Sequence, residues 1–122
     1  MKKRKSANRW KQETPNYRQI IYFNVEAILR GEYSEGDLLP SVRQIAADYD
    51  VSTITGAKVL KELDHAGIAI KRLGSGWEVK RGTRERILKA QREAFFRNEW
   101  PDLQRRLALM EIDFSDLIAD AR

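Results

Sequence analysis

Residues 39–67, LPSVRQIAADYDVSTITGAKVLKELDHAG, constrain the fold more than any other part of the chain, because they specify two helices and a turn too short to let them separate. Ser41 followed three residues later by Gln44 has the spacing of a capping box. The serine oxygen accepts one orphan N–H of a helix start, and the glutamine side chain reaches back to another. Val42, Ile45, Ala46 and Tyr49 then give that helix one apolar face. The pattern stops at Asp50-Val51. Ser52 supplies the oxygen for a second N-cap, and Val59, Leu60, Leu63 and Ala66 fall on one stripe of the helix it starts. Helix, short turn and helix suit DNA reading: the first helix props the second against the backbone while the leading residues of the second meet base edges.

Upstream, Thr14-Pro15 predicts a helix start, with threonine as cap and proline at the first helical position. Tyr17, Ile20, Ile21, Val25, Ile28 and Leu29 form its core stripe, and Gly31 its stop. Ser34-Glu35-Gly36-Asp37 marks a turn, after which Leu38-Leu39 returns to the core ahead of Pro40. Beyond Gly67 the period changes. Residues 68–73 and 77–80 flank Gly74-Ser75-Gly76 and predict a hairpin on a glycine-supported turn. Its tip is expected to carry no bulky side chain, so that backbone approaches a phosphate or a narrow groove, with Lys71, Arg72, Lys80 and Arg81 alongside. As a wing, this hairpin completes a winged helix-turn-helix; as an ordinary hairpin, it covers an edge of the core.

The net charge of +5 is unevenly spread. Residues 1–81 hold 15 Lys/Arg against 10 Asp/Glu, whereas residues 82–122 hold 8 of each. Residues 12–81 hold 9 against 10, so the excess lies in Lys2, Lys3, Arg4, Lys5, Arg9 and Lys11. Residues 1–13 are therefore expected to be a basic flexible arm, open to two readings: a contact for phosphates or a minor groove, or a solvated terminus. Binding through residues 12–81 must depend on where a few groups sit, because bulk charge does not supply it.

Composition narrows the remaining classes. A length of 122 residues suits about one domain, and 42% hydrophobic with 34% charged residues is globular rather than disordered. The absence of cysteine fits a reducing, cytoplasmic setting. No apolar run approaches the roughly 20 residues that cross a bilayer, so no membrane partner is expected. With one histidine and no cysteine, familiar zinc spacings are impossible. No nucleophile stands beside a base, and Gly74-Ser75-Gly76 lacks the lysine and strand-loop-helix context of a nucleotide loop. Neither an enzyme nor a cofactor is expected.

The chemistry that remains belongs to nucleic acid. With Val59, Leu60 and Leu63 facing inward, Ser52, Thr53, Ile54, Lys58 and Lys61 are left for the outer face of the second helix of the pair. Thr53 can bond a base or a phosphate, Lys58 can reach guanine acceptors or phosphate, and Ile54 can meet a thymine methyl. Thr55 and Arg43 sit where phosphate contacts fix docking. On the wing the candidates are Lys71, Arg72, Gly74, Ser75 and Gly76.

From Thr83 the helical period returns, with Ile87, Leu88, Gln91, Ala94 and Phe95 on one face. Pro101 prevents a regular helix from running through unbroken. Leu103, Leu107 and Met110 follow at i, i+4 and i+7, and Asp113 is placed to cap a last piece carrying Phe114, Leu117 and Ile118. These roughly 40 residues are too few to make a core alone. They must bury their apolar face on the winged domain or on a second copy, as a dimeric bundle that sets the spacing of two reading heads. The organisation expected is an arm at 1–13, a winged domain at 14–81 and a helical extension at 82–122, mainly α with a small β-hairpin.

The ordered combination Leu39-Pro40-Ser41-Val42-Arg43-Gln44-Ile45-Ala46, Val51-Ser52, Leu60-Lys61-Glu62-Leu63-Asp64-His65-Ala66-Gly67, then Gly74-Ser75-Gly76 and Val79, resembles the GntR family of bacterial winged helix-turn-helix regulators. The short tail, with Arg92-Glu93, Phe95, Pro101, Leu103 and Ile112-Asp113, is similar to the YtrA-type branch, whose tail is a small helical dimerisation element. The resemblance implies a homodimeric, sequence-specific transcription regulator, most often a repressor, on a double-stranded operator with inverted repeats. Arg43 matches the family arginine that contacts DNA. Ile87, Leu88, Ala94, Phe95, Leu103, Leu107 and Met110 become the expected dimerisation residues, and a small-molecule effector is expected, if at all, in a cavity between winged domain and tail. The sequence departs from the pattern where Thr53 and Ala57 replace arginine on the reading helix, where Asp50 stands in place of glycine, and at Trp77-Glu78. Two other classes remain open: a winged-helix module whose tail docks another protein, and a nonspecific nucleic-acid-binding protein acting through its basic terminus.

Overall fold

The computed structural model describes residues 14–120, so the basic arm expected over residues 1–13 lies outside the described residues. The chain divides into two compact units, with the division between Arg86 and Ile87.

In the first unit, helix α1 spans Tyr17–Leu29, and its cap is Asn16 rather than Thr14. Asn16 Oδ1 accepts from the Gln19 N–H at 2.9 Å and Gln19 Oε1 accepts from the Asn16 N–H at 2.9 Å, a reciprocal box that satisfies two donors where threonine before proline would satisfy one. Pro15 instead precedes the cap and is buried. The inward face of α1 is Ile20, Asn24, Val25, Ala27 and Ile28, while Tyr17, Ile21 and Leu29 are half-buried. Asn24 is tolerated in the core because its Nδ2 donates to the Ile20 carbonyl at 2.9 Å. Gly31 ends the helix at φ +87°. The Gly31 and Glu32 N–H groups close on the carbonyls of Ile28 and Ala27, a double bond pattern that requires a left-handed residue at the glycine.

Helix α2, Val42–Tyr49, begins at the expected Ser41–Gln44 box, with Gln44 N–H to Ser41 Oγ at 3.1 Å and Ser41 N–H to Gln44 Oε1 at 2.8 Å. It stops at Asp50, which takes left-handed φ 56° and ψ 49°. Helix α3, Thr53–His65, buries Gly56, Val59, Leu60 and Leu63. Ala66, expected on that stripe, is exposed because it caps the helix end. The stripe extends instead one turn earlier, to Gly56. A Cβ there would lie 2.8 Å from the Val42 carbonyl oxygen and 3.4 Å from Val42 Cγ1, so the missing side chain is what lets α2 and α3 pack this closely. Phe23 of α1 stacks on Tyr49 of α2 with centroids 5.9 Å apart.

Strands β1, Ala69–Arg72, and β2, Gly76–Val79, pair antiparallel with Ala69 opposite Val79 and Arg72 opposite Gly76. Gly76 is thus a strand residue, and the tip is Leu73-Gly74-Ser75 rather than Gly74-Ser75-Gly76. The free edge of β2 is covered from the α1–α2 connection: Leu38 bridges Glu78, Leu39 N–H bonds the Trp77 carbonyl at 2.8 Å, and Val79 N–H bonds the Asp37 carbonyl at 2.9 Å. Alternation along that extended segment sends Leu39 into the core and leaves Leu38 54% exposed, so only one of the two leucines expected inside is there. The first turn of α4, Thr83–Ala94, closes this unit. Thr83 is fully buried and its Oγ1 donates to the Ile68 carbonyl at 3.3 Å; Arg84 Nε and Nη2 bond the Leu29 carbonyl, and Arg86 Nη2 bonds the Gly67 carbonyl at 2.7 Å. Arg84 therefore caps the last carbonyl of α1, which lacks a helical donor, and Arg86 ties the residue just beyond the end of α3 to α4.

The second unit continues α4 through a π-helical turn, Phe95–Glu99, into α5, Trp100–Leu109. The Trp100 N–H bonds the Phe95 carbonyl five residues back. This wider turn is how the helix passes Pro101, which brings no N–H and crowds the preceding turn. In the first turn of α5, Asp102 accepts from Arg105 at 2.6 Å, which holds its carboxyl below the usual range. Glu111, at φ 55°, ends α5, and α6 spans Phe114–Asp120. At its start the Asp116 carboxylate accepts from the Asp113 N–H at 2.9 Å, the reverse of the expected cap, in which Asp113's own carboxylate would accept from a backbone N–H of the first turn. No described helix is long and apolar enough to cross a membrane.

Candidate nucleic-acid interface

The leading end of α3 is built from its own capping chemistry. Ser52 Oγ accepts from the Thr55 N–H at 3.1 Å and donates to Thr55 Oγ1 at 3.2 Å. The Ser52 hydroxyl is thereby used both as acceptor and as donor, and Thr55, half-buried, keeps its own O–H to donate. Of the four residues at this edge, Thr53 and Ile54 are the two left pointing outward without such a partner, and Ile54 is 80% exposed. A β-branched side chain with one or two rotamers loses little freedom on meeting a base, so this is a stiff apolar contact surface rather than a flexible cationic one.

The cations differ from one another in what already holds them. Arg43, in the first turn of α2, is exposed and makes no hydrogen bond or ion pair with any described residue. Lys61 is likewise exposed. Lys58 instead lies over the Tyr17 ring, its Nζ 4.2 Å from the centroid, a cation–π contact from α3 back to α1. On the hairpin, Lys71 rests 5.5 Å from the centroid of Trp77, its cross-strand neighbour, and Arg72 Nε pairs with Glu78 Oε1 at 3.1 Å. The Trp77-Glu78 pair is therefore what occupies the two wing cations.

The wing tip departs from the bare turn expected. Ser75 N–H bonds the Arg72 carbonyl at 3.3 Å to close a four-residue turn, and Gly74 at φ +77° occupies its third position, where only a residue without a Cβ is unstrained. Leu73 takes the second position and is fully exposed, at 103%. Sequence reading missed it by placing both flanking glycines inside the turn. Between α2 and the hairpin lies an open cleft of about 800 Å³, lined by Leu38, Pro40, Arg43, Lys71 and Trp77 among others. Arg43 and Lys71 thus face a common space, while Arg72 lines a different depression of the hairpin with Glu78.

The tail residues singled out for association share one property. Ile87, Leu88, Ala94, Phe95, Leu103 and Leu107 are half-buried and Met110 is exposed. Phe95 packs edge-on against Phe96 at 5.2 Å and lies 6.3 Å from Trp100. Within residues 87–119 no side chain reaches full burial, and Phe96, Leu109, Met110, Phe114, Leu117 and Ile118 are all exposed.

A family model described as bacterial regulatory proteins, gntR family, matches residues 17–79. The HTH-type transcriptional regulator YdfD of Bacillus subtilis is 38% identical over 69 residues, which are 57% of this chain and 14% of that protein. The HTH-type transcriptional repressor YtrA of the same organism is 33% identical over 78 residues, 64% of this chain and 60% of that protein. The chain spans less than two thirds of the length of either. Among solved structures, a transcriptional regulator of GntR family from Bacteroides thetaiotaomicron superposes with a TM-score of 0.64 at 26% identity, over 86% of this chain and 92% of that one.

Proposed function

The chain belongs to the GntR family of bacterial regulatory proteins and is YtrA-like, and on that premise we propose that it is a sequence-specific DNA-binding transcription regulator of the bacterial cytoplasm, a repressor that reads an inverted-repeat operator as a homodimer. The observation that carries this reading is the leading edge of α3: Thr53 and Ile54 are exposed on a helix start capped by Ser52, and Arg43, in the first turn of α2, makes no hydrogen bond or ion pair with any described residue. In this reading α3 enters the major groove, Thr53 and Ile54 meet base edges, and Arg43 and Lys61 bind phosphates that fix its register. Lys58 reaches DNA only by leaving the Tyr17 ring, so its contribution is smaller. The wing lies over the flanking minor groove.

The homodimer is supported by the tail. A segment of this length with several exposed aromatic and aliphatic side chains and no buried one of its own gains its stability by covering that face, and a second copy supplies a matching surface by symmetry. Two heads so joined require two half-sites related by a two-fold axis.

Selection of bound sequences from random duplex DNA tests the reading. An enriched inverted repeat is expected, and the absence of one refutes it. Deleting residues 1–11 is expected to weaken binding while leaving the selected sequence unchanged; complete loss would favour nonspecific coating through the terminal lysines instead.

A further inference from the structure

Leucine at the most exposed point of the hairpin has no role in the fold. Leu73 is 103% exposed, whereas the core leucines Leu60 and Leu63 are at 1% and 0%. The second position of its turn accepts most residues and favours proline, so neither the backbone nor the packing asks for a branched apolar side chain. Exposed single apolar residues are common on protein surfaces. What distinguishes this one is the construction around it. Gly74 has nothing within 4 Å of its missing Cβ, and Gly76 only Leu38 Cδ2 at 3.9 Å. The end of the hairpin is therefore thin, with Ser75 the only other side chain at the tip and one isobutyl group projecting from it. Lys71 and Arg72 are held on the strand behind it, by Trp77 and by Glu78 respectively, and so do not compete for the tip.

We propose that Leu73 is an apolar wedge that enters the minor groove of duplex DNA and presses against a flexible base step flanking the sequence read by α3, so that the wing selects DNA by deformability. The inference rests on the DNA-reading function proposed above. A minor groove of about 6 Å leaves little room beside an inserted side chain, and here Leu73 is followed by Gly74, the small Ser75 and Gly76, while the Arg72 side chain before it is drawn onto Glu78. Apolar side chains that enter this groove partly unstack a step and kink the duplex. Pyrimidine–purine steps, TA and CA/TG, deform most easily. Lys71 and Arg72 lie on the strand behind the tip, where contact with a phosphate would position the wedge without specifying it.

The test uses the full chain and duplexes carrying the sequence that the wild-type protein selects from random DNA, identical except for a TA or a GG step at each flanking position. Wild-type protein is expected to bind the TA-flanked duplex about tenfold more tightly and to raise the fluorescence of a 2-aminopurine placed at that step. Leu73→Ala is expected to lose that preference and the fluorescence change while keeping the salt dependence and the melting temperature. Leu73→Lys separates wedge from charge: it is expected to bind both duplexes tightly without preferring either. If Leu73→Ala retains the wild-type flank preference and fluorescence response, the wedge is refuted while the DNA-reading function stands. If the wild-type protein binds no duplex, that function falls and the wedge with it.

Discussion

Replacing Gly56 with alanine sets two opposing effects against each other at one methyl group. In an isolated helix the change is favourable by about 1 kcal/mol, because glycine loses more backbone freedom on folding. Here the new Cβ would stand 2.8 Å from the Val42 carbonyl oxygen, where ordinary carbon–oxygen contacts begin at roughly 3.3 Å. The helices must part by about half an ångström, and the obstacle is backbone in the first turn of α2, which cannot rotate aside as a side chain would. Overpacking of this kind costs about 1–3 kcal/mol. Subtracting the propensity gain leaves a net destabilisation of up to about 2 kcal/mol, or a melting temperature lower by up to roughly 8–16 °C in a unit this size. Urea unfolding of Gly56→Ala beside Ala57→Gly measures it. Ala57→Gly, one residue along the same helix, reports the propensity effect away from the close approach and should destabilise by about 1 kcal/mol. If Gly56→Ala is instead stabilised by that amount, the close approach does not constrain the α2–α3 crossing and the reasoning fails.

Three further outcomes follow from the same structure. Asp50→Gly removes a left-handed aspartate at φ 56° and should raise stability by about 0.5–1 kcal/mol in urea unfolding; a loss would mean that the Asp50 side chain contributes more than its backbone conformation costs. Arg43→Ala should weaken binding to specific and unrelated duplexes alike and lower the salt slope by about 1, whereas Ile54→Ala should leave the slope alone. It should also abolish a roughly fourfold loss seen when deoxyuridine replaces one operator thymidine, the value of one buried methyl. Finally, Leu103→Glu with Leu107→Glu should convert the chain from dimer to monomer by sedimentation while the head keeps its helical content; a dimer that persists places the interface elsewhere.

Local chemistry made much of the fold legible in advance. The Ser41–Gln44 box, the Ser52 cap and the glycine stops at Gly31 and Gly67 each need only residues within five positions of one another, so the helix boundaries of the reading pair follow from the chain alone. Asn16 was missed because Thr14-Pro15 offers a similar local signal, and the choice turns on Gln19 completing the stronger box. Hairpin existence was legible and its register was not: moving Gly76 from turn to strand exchanged a bare tip for one crowned by Leu73.

Contacts between distant residues were decided by the tertiary structure. Gly56 reads as a weak helix residue until α2 is laid across it. Lys58 is an available cation in the sequence and a partner of Tyr17 in the fold, just as Arg72 is claimed by Glu78. The sequence by itself determined that this chain forms a helix-turn-helix with a wing, since caps and periodicity act over one or two turns. Helical spacing already left Thr53 and Ile54 outward, whereas the exposure of Leu73 and the engagement of Lys58 and Arg72 were decided only when the elements packed, because exposure is a property of what lies opposite.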